Sequence, residues 1–122
     1  NMDSAKKIAA SGIKYYIEVA NMPTTNDALE FLKEQKHMVI APSKAVNACG
    51  VAVSALEMAQ NAERLYWTAE EVDAKMHQIM ANIYHSSVAA AERYGLGYDL
   101  VAGANIVGFQ RVADAMMAQG IV

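Results

Sequence analysis

The stretch IKYYIEVANMPTTNDALEFLKEQKHMVIAP, residues 13–42, decides the fold. Ile13 to Val19 is rich in β-branched and aromatic residues and has the length of a strand. Asn21-Met-Pro-Thr-Thr25 is a loop, because Pro23 cannot donate a ladder hydrogen bond and Thr24 or Thr25 is a good helix cap. Asn26 to Gln35 then gives a helix with Leu29, Phe31 and Leu32 as apolar anchors. Met38 to Ala41 is a short, continuous apolar run closed by Pro42, the pattern of a buried parallel strand. Strand, helix and strand within about thirty residues form a right-handed βαβ crossover, and with it a parallel sheet of the α/β class. Two strands alone do not make a stable parallel sheet, so further strands are expected upstream in a longer chain.

Working outward, Met2 to Ala10 has helical composition and is stopped by Ser11-Gly12. The second half is helical throughout, with three helices expected. The first runs from Gly50 to Leu65. Thr68 opens the second, with Glu71 completing a capping box and Glu70 and Asp73 favoured by the helix dipole. Val72, Met76, Ile79, Met80 and Ile83 recur at helical spacing and predict one buried stripe, which ends after Arg93 at Gly95 and Gly97. The third helix reaches about Ala118, its start blurred by Gly103 and Gly108. No repeat, low-complexity tract or linker divides residues 1–122, so no internal domain boundary is expected.

Composition narrows the function classes. Of the 122 residues, 54% are hydrophobic and only 19% charged, a ratio that anticipates apolar surface covered from outside the chain. A net charge of −3 and a pI near 5.5 argue against nucleic-acid and anionic-membrane partners. No run reaches the roughly 18 apolar residues of a bilayer span, and the start has no signal-peptide layout. The single cysteine, Cys49, cannot form an internal disulfide, which points to a reducing cytoplasm. The chain opens at Asn1 within a helical stretch and reads as a fragment.

Three segments carry candidate chemistry. In a doubly wound sheet, ligands sit beyond the carboxyl ends of the strands, and Asn21 falls there. Its amide either meets a cofactor or bonds its own backbone in a turn. Asn47 lies in the loop after the second strand, near a helix start whose free amides suit an anion. Val51 and Ser54 follow, three residues apart and therefore on one helical face, where they can line a pocket. Read singly, Ser54 is a mid-helix serine bonding back to a carbonyl, and Lys44 a solvated charge. The third segment, Tyr94 to Phe109, holds several glycines but follows a helix, so it is no dinucleotide fingerprint. Close helix packing is the better account of Gly103 and Gly108, and Asn105 is a buried polar contact or a cap. His37, His77 and His85 have no metal-ligand spacing, and no metal site is expected. Tyr66-Trp67 reads as a packing anchor.

Taken together, Val19 to Thr25, Lys44 to Ser54, Leu56 to Leu65 and Leu100 to Phe109 resemble the C-terminal part of bacterial, hexameric-type glutamate dehydrogenases of the Glu/Leu/Phe/Val dehydrogenase family. The resemblance runs the length of the chain. It implies the C-terminal portion of a Rossmann-like cofactor domain, two parallel strands in a βαβ unit followed by three helices, with the substrate domain absent. It implies oxidative deamination of L-glutamate to 2-oxoglutarate and ammonium with NAD or NADP, in a cytoplasmic homo-oligomer that is a hexamer when intact. By the same resemblance Asn21 and Asn47 sit near the nicotinamide and its ribose. Val51 and Ser54 line the glutamate side-chain pocket, with the Ser54 hydroxyl donating to the γ-carboxylate. Such a donor favours glutamate over the apolar substrates of the related leucine, phenylalanine and valine enzymes. The family usually has glycine where this chain has Cys49, which brings a thiol beside the cofactor positions. The catalytic lysine, its acidic partner and the glycine-rich phosphate loop lie upstream by this reading, so no catalytic residue is expected here and the piece alone is inactive. The rival readings are a non-catalytic binding or assembly module of the same fold and a related apolar amino-acid dehydrogenase.

Overall fold

A computed structural model describes residues 1–120. Among them, helix α1 spans Met2–Ala10, strand β1 Tyr15–Ile17, helix α2 Asn26–Lys33, strand β2 Val39–Ala41 and a single turn α3 Ser43–Val46. Helices α4 Ala48–Glu63, α5 Ala69–Arg93 and α6 Leu100–Gln119 complete the order. β1 and β2 pair in parallel, with Tyr15 opposite Val39, Tyr16 opposite Ile40 and Ile17 opposite Ala41. This is the expected βαβ unit. Both strands are shorter than their apolar runs, because the ladder ends with the Glu18 N–H on the Ala41 carbonyl and Pro42 has no N–H to extend it. The turn α3 was not expected, since four residues after a proline are too few to show a helical period.

Strand alternation sorts β1 into two faces. Tyr16 and Glu18 point inward, while Tyr15, Ile17 and Val19 stay exposed. The inner face joins a core of Ala5, Ala28, Leu32, Ile40 and Val101, so α1 and α2 cover the sheet and the start of α6 closes it. Leu32 is fully buried, which stabilises the fold by about 1.5–3 kcal/mol. Of its expected companions, Leu29 and Phe31 are only partly buried against this cluster.

The helix boundaries follow from their caps. Thr68 and Glu71 form the expected box, with Glu71 N–H donating to Thr68 Oγ1 at 3.2 Å and Thr68 N–H to Glu71 Oε2 at 2.7 Å. Asp99 resolves the start of α6, its Oδ1 accepting from the Ala102 N–H at 2.9 Å. Its other oxygen lies 3.3 Å from Lys33 Nζ and ties α2 to α6. Burial works against the Lys33 charge, but the Asp99 and Glu30 carboxylates together outweigh it and hold its pKa above the ordinary value. The stripe of Val72, Met76, Ile79, Met80 and Ile83 is half-buried rather than buried. α4 contains no buried residue. Of the supposed aromatic anchor, Trp67 packs under Lys75, whereas Tyr66 is 92% exposed.

Candidate functional site

Because β1 and β2 are parallel, their carboxyl ends share one edge, and the segments leaving that edge carry Asn21 and Asn47. The loop after β1 turns sharply at Met22, whose φ of 45° is left-handed and costs a non-glycine residue about 1–2 kcal/mol. The Tyr16 and Thr24 hydroxyls, 2.8 Å apart, pin the far side of this loop to the strand. Asn21 itself is exposed. Asn47 closes α3 through its N–H on the Ser43 carbonyl at 2.8 Å, and its own carbonyl accepts from Gly50 as α4 begins. Its side chain makes no capping hydrogen bond and is half-buried.

Val51 and Ser54 lie within the first two turns of α4. Val51 is 75% exposed and Ser54 is exposed, so this face is open. The mid-helix serine that bonds back to a carbonyl is Ser87, on Ile83 at 2.8 Å. Cys49 occupies the first turn of α4 and is half-buried. Lys44 is exposed and donates to the Asn105 side chain, joining α3 to α6. Asn105 is thus an exposed contact rather than a buried one or a cap.

One residue at this edge escaped the sequence reading. Glu18 is 6% exposed, and its Oε2 accepts from the Ser43 N–H at 3.2 Å. The available signal was parity, since Glu18 alternates in step with the inward Tyr16. A cavity of about 440 Å³ is lined by Lys33, Lys36, Met38, Tyr98 and Asp99, with Met38 at the amino end of β2. It is at the wrong edge for a strand-end ligand. Among the described residues no group of His, Cys, Asp and Glu side chains could hold a metal ion, and no helix is long and apolar enough to cross a membrane.

The edge therefore offers two amides and an adjoining open helical face with a hydroxyl. The segments between strand and helix, residues 18–25 and Pro42, contain no glycine. They supply no phosphate cradle of the glycine-rich kind.

Comparison with known proteins agrees with this geometry. The chain is 72% identical over 121 residues to the NAD-specific glutamate dehydrogenase of Clostridium symbiosum, covering 99% of this chain and 27% of that protein. It is 52% identical to the NADP-specific glutamate dehydrogenase of Escherichia coli strain K12, over the whole of this chain and 27% of the relative. A solved glutamate dehydrogenase at 72% identity superposes with a TM-score of 0.95, and Plasmodium falciparum glutamate dehydrogenase 2 at 47% identity with a TM-score of 0.90. Each match covers nearly all of this chain and about a quarter of the known structure. The family model for Glutamate/Leucine/Phenylalanine/Valine dehydrogenase matches residues 1–120. With a fold and a sequence match that coincide along the chain, the chain belongs to the Glutamate/Leucine/Phenylalanine/Valine dehydrogenase family.

Proposed function

We propose that residues 1–122 form part of the cofactor domain of an NAD- or NADP-dependent glutamate dehydrogenase and contribute one wall of its cleft. The observation that carries this is the grouping of Asn21 and Asn47 on one strand edge, followed at once by the open Val51–Ser54 face. The two amides suit the nicotinamide and ribose end of the cofactor, which takes the hydride from the substrate when bound. The cradle for its phosphates belongs to other residues. Ser54 offers a hydroxyl to the γ-carboxylate of glutamate, and Val51 packs against the substrate's methylenes. On this reading the chemistry falls to a substrate domain outside this sequence.

The same reading makes the working enzyme a cytoplasmic homo-oligomer that converts L-glutamate to 2-oxoglutarate and ammonium. Exposed Phe109, Val112 and Met117 on α6 support it, because apolar surface of this kind is normally covered in the complete protein. The test is kinetic. In the full-length protein carrying these residues, Asn47→Ala should raise the KM for cofactor and Ser54→Ala the KM for glutamate. Unchanged constants in both would overturn the assignment.

A further inference from the structure

Pro42 leaves a gap in the hydrogen bonding of the site edge, and Glu18 fills it. β2 ends at Ala41, and the turn α3 starts at once, with Pro42 in the N-cap position. Proline has no side-chain oxygen, so it cannot satisfy the free amides of the turn it precedes. The Glu18 carboxylate takes over this role across 25 residues of sequence, accepting the Ser43 N–H at 3.2 Å. The Glu18 backbone grips the other side of the same proline, donating its N–H to Ala41 at 3.0 Å. A carboxylate this deeply buried is costly unless its hydrogen bonds are organised, and here it holds two departing segments together.

Those segments are the ones that matter. Glu18 stands three residues before Asn21, and Ser43 receives the Asn47 N–H through its own carbonyl. We propose that Glu18 is a positioning residue for cofactor binding, fixing the spacing of Asn21 and Asn47 through the Ser43 amide. The inference rests on the reading of those two asparagines as cofactor contacts. Glu18 touches neither cofactor nor substrate.

The experiment uses the full-length enzyme and separates cofactor from substrate. Glu18→Ala should raise the cofactor KM by about tenfold or more, the scale of one lost hydrogen bond to a charged group. The glutamate KM should stay within about twofold, because a uniform structural loss would move both constants. Glu18→Gln keeps an acceptor for Ser43 and should recover most of the cofactor affinity. Ser43→Pro removes the donor instead of the acceptor, and proline is tolerated at the first helical position after an extended residue such as Pro42, with ψ 146°. It should reproduce the Glu18→Ala effect, and it decides the question if Glu18→Ala does not fold. Equal rises in both KM values, no cofactor effect, or a Gln variant as impaired as Ala would overturn the proposal. Asn21→Ala and Asn47→Ala report separately. If neither changes cofactor KM, the reading of the asparagines fails; if they do and Glu18→Ala does not, only the positioning role fails.

Discussion

Gly103 of α6 lies directly against the backbone of Ser87 in α5: a Cβ built on the glycine would sit 2.0 Å from the Ser87 carbonyl oxygen and 2.8 Å from its carbon. Neither atom can rotate away. Gly103→Ala must therefore push the two helices apart, and we expect a loss of about 1–3 kcal/mol or more in a denaturant titration. Gly108, five residues on, has nothing within 4 Å of the equivalent point. Gly108→Ala should be neutral or stabilising by up to about 1 kcal/mol. Equal effects at the two sites would contradict this packing.

The Tyr84 and Tyr98 hydroxyls meet at 2.7 Å and join α5 to the loop before α6. The hydrogen bond to Tyr84, with burial and the neighbouring phenols adding to it, pushes Tyr98 up to about 12. A phenol with a raised pKa in the folded state contributes its stability fully below the ordinary value of 10.0, and that contribution is lost as pH climbs through about 12. Ultraviolet titration should accordingly show Tyr98 still neutral just above pH 10, where ordinary tyrosines ionise. Tyr84→Phe should restore its phenolate absorbance at that pH, and an unchanged titration would remove the pair.

Ser54→Ala in the full-length enzyme should cost about 1–3 kcal/mol in kcat/KM for glutamate, the range for a hydrogen bond to a charged carboxylate. Activity on an apolar amino acid should fall much less. Parallel losses on both substrates would place Ser54 outside the pocket.

Cys49 is half-buried in the first turn of α4, two residues from Asn47. Alkylation of the native enzyme should be slower than that of an exposed thiol, and saturating cofactor should slow it further. Cys49→Gly should abolish the sensitivity, with a cost of about 1 kcal/mol for a glycine in a helix. Labelling that ignores cofactor would show the thiol facing away from the cleft.

The legible parts of the fold were those set by neighbours in sequence. Thr68 and Glu71 stand three residues apart, so their capping box could be read directly, as could Gly12 after α1 with its φ of 75°. The βαβ order was equally plain, because Pro23 and Pro42 punctuate it. Contacts between distant residues were not legible. Glu18 looks like any charged residue in a short strand, and its partner Ser43 is 25 positions away. Gly103 and Gly108 read alike as packing glycines, and only the position of α5 separates them. Val72 to Ile83 has the periodicity of a buried stripe, yet periodicity fixes which face is apolar and not how completely it is covered.

The core that begins with Ala5 is completed by Val101. Residues up to Val101 must therefore exist before α1 has its full packing, and during synthesis the βαβ unit emerges with one side of its core still open. Sequence order and folding order diverge here. A nascent chain stopped before Leu100 would carry both asparagines and Glu18, yet lack Val101 from the core of Ala5, Ala28, Leu32 and Ile40. Translational arrest or proteolysis in residues 94–99 would thus leave an exposed core for chaperones and proteases to find.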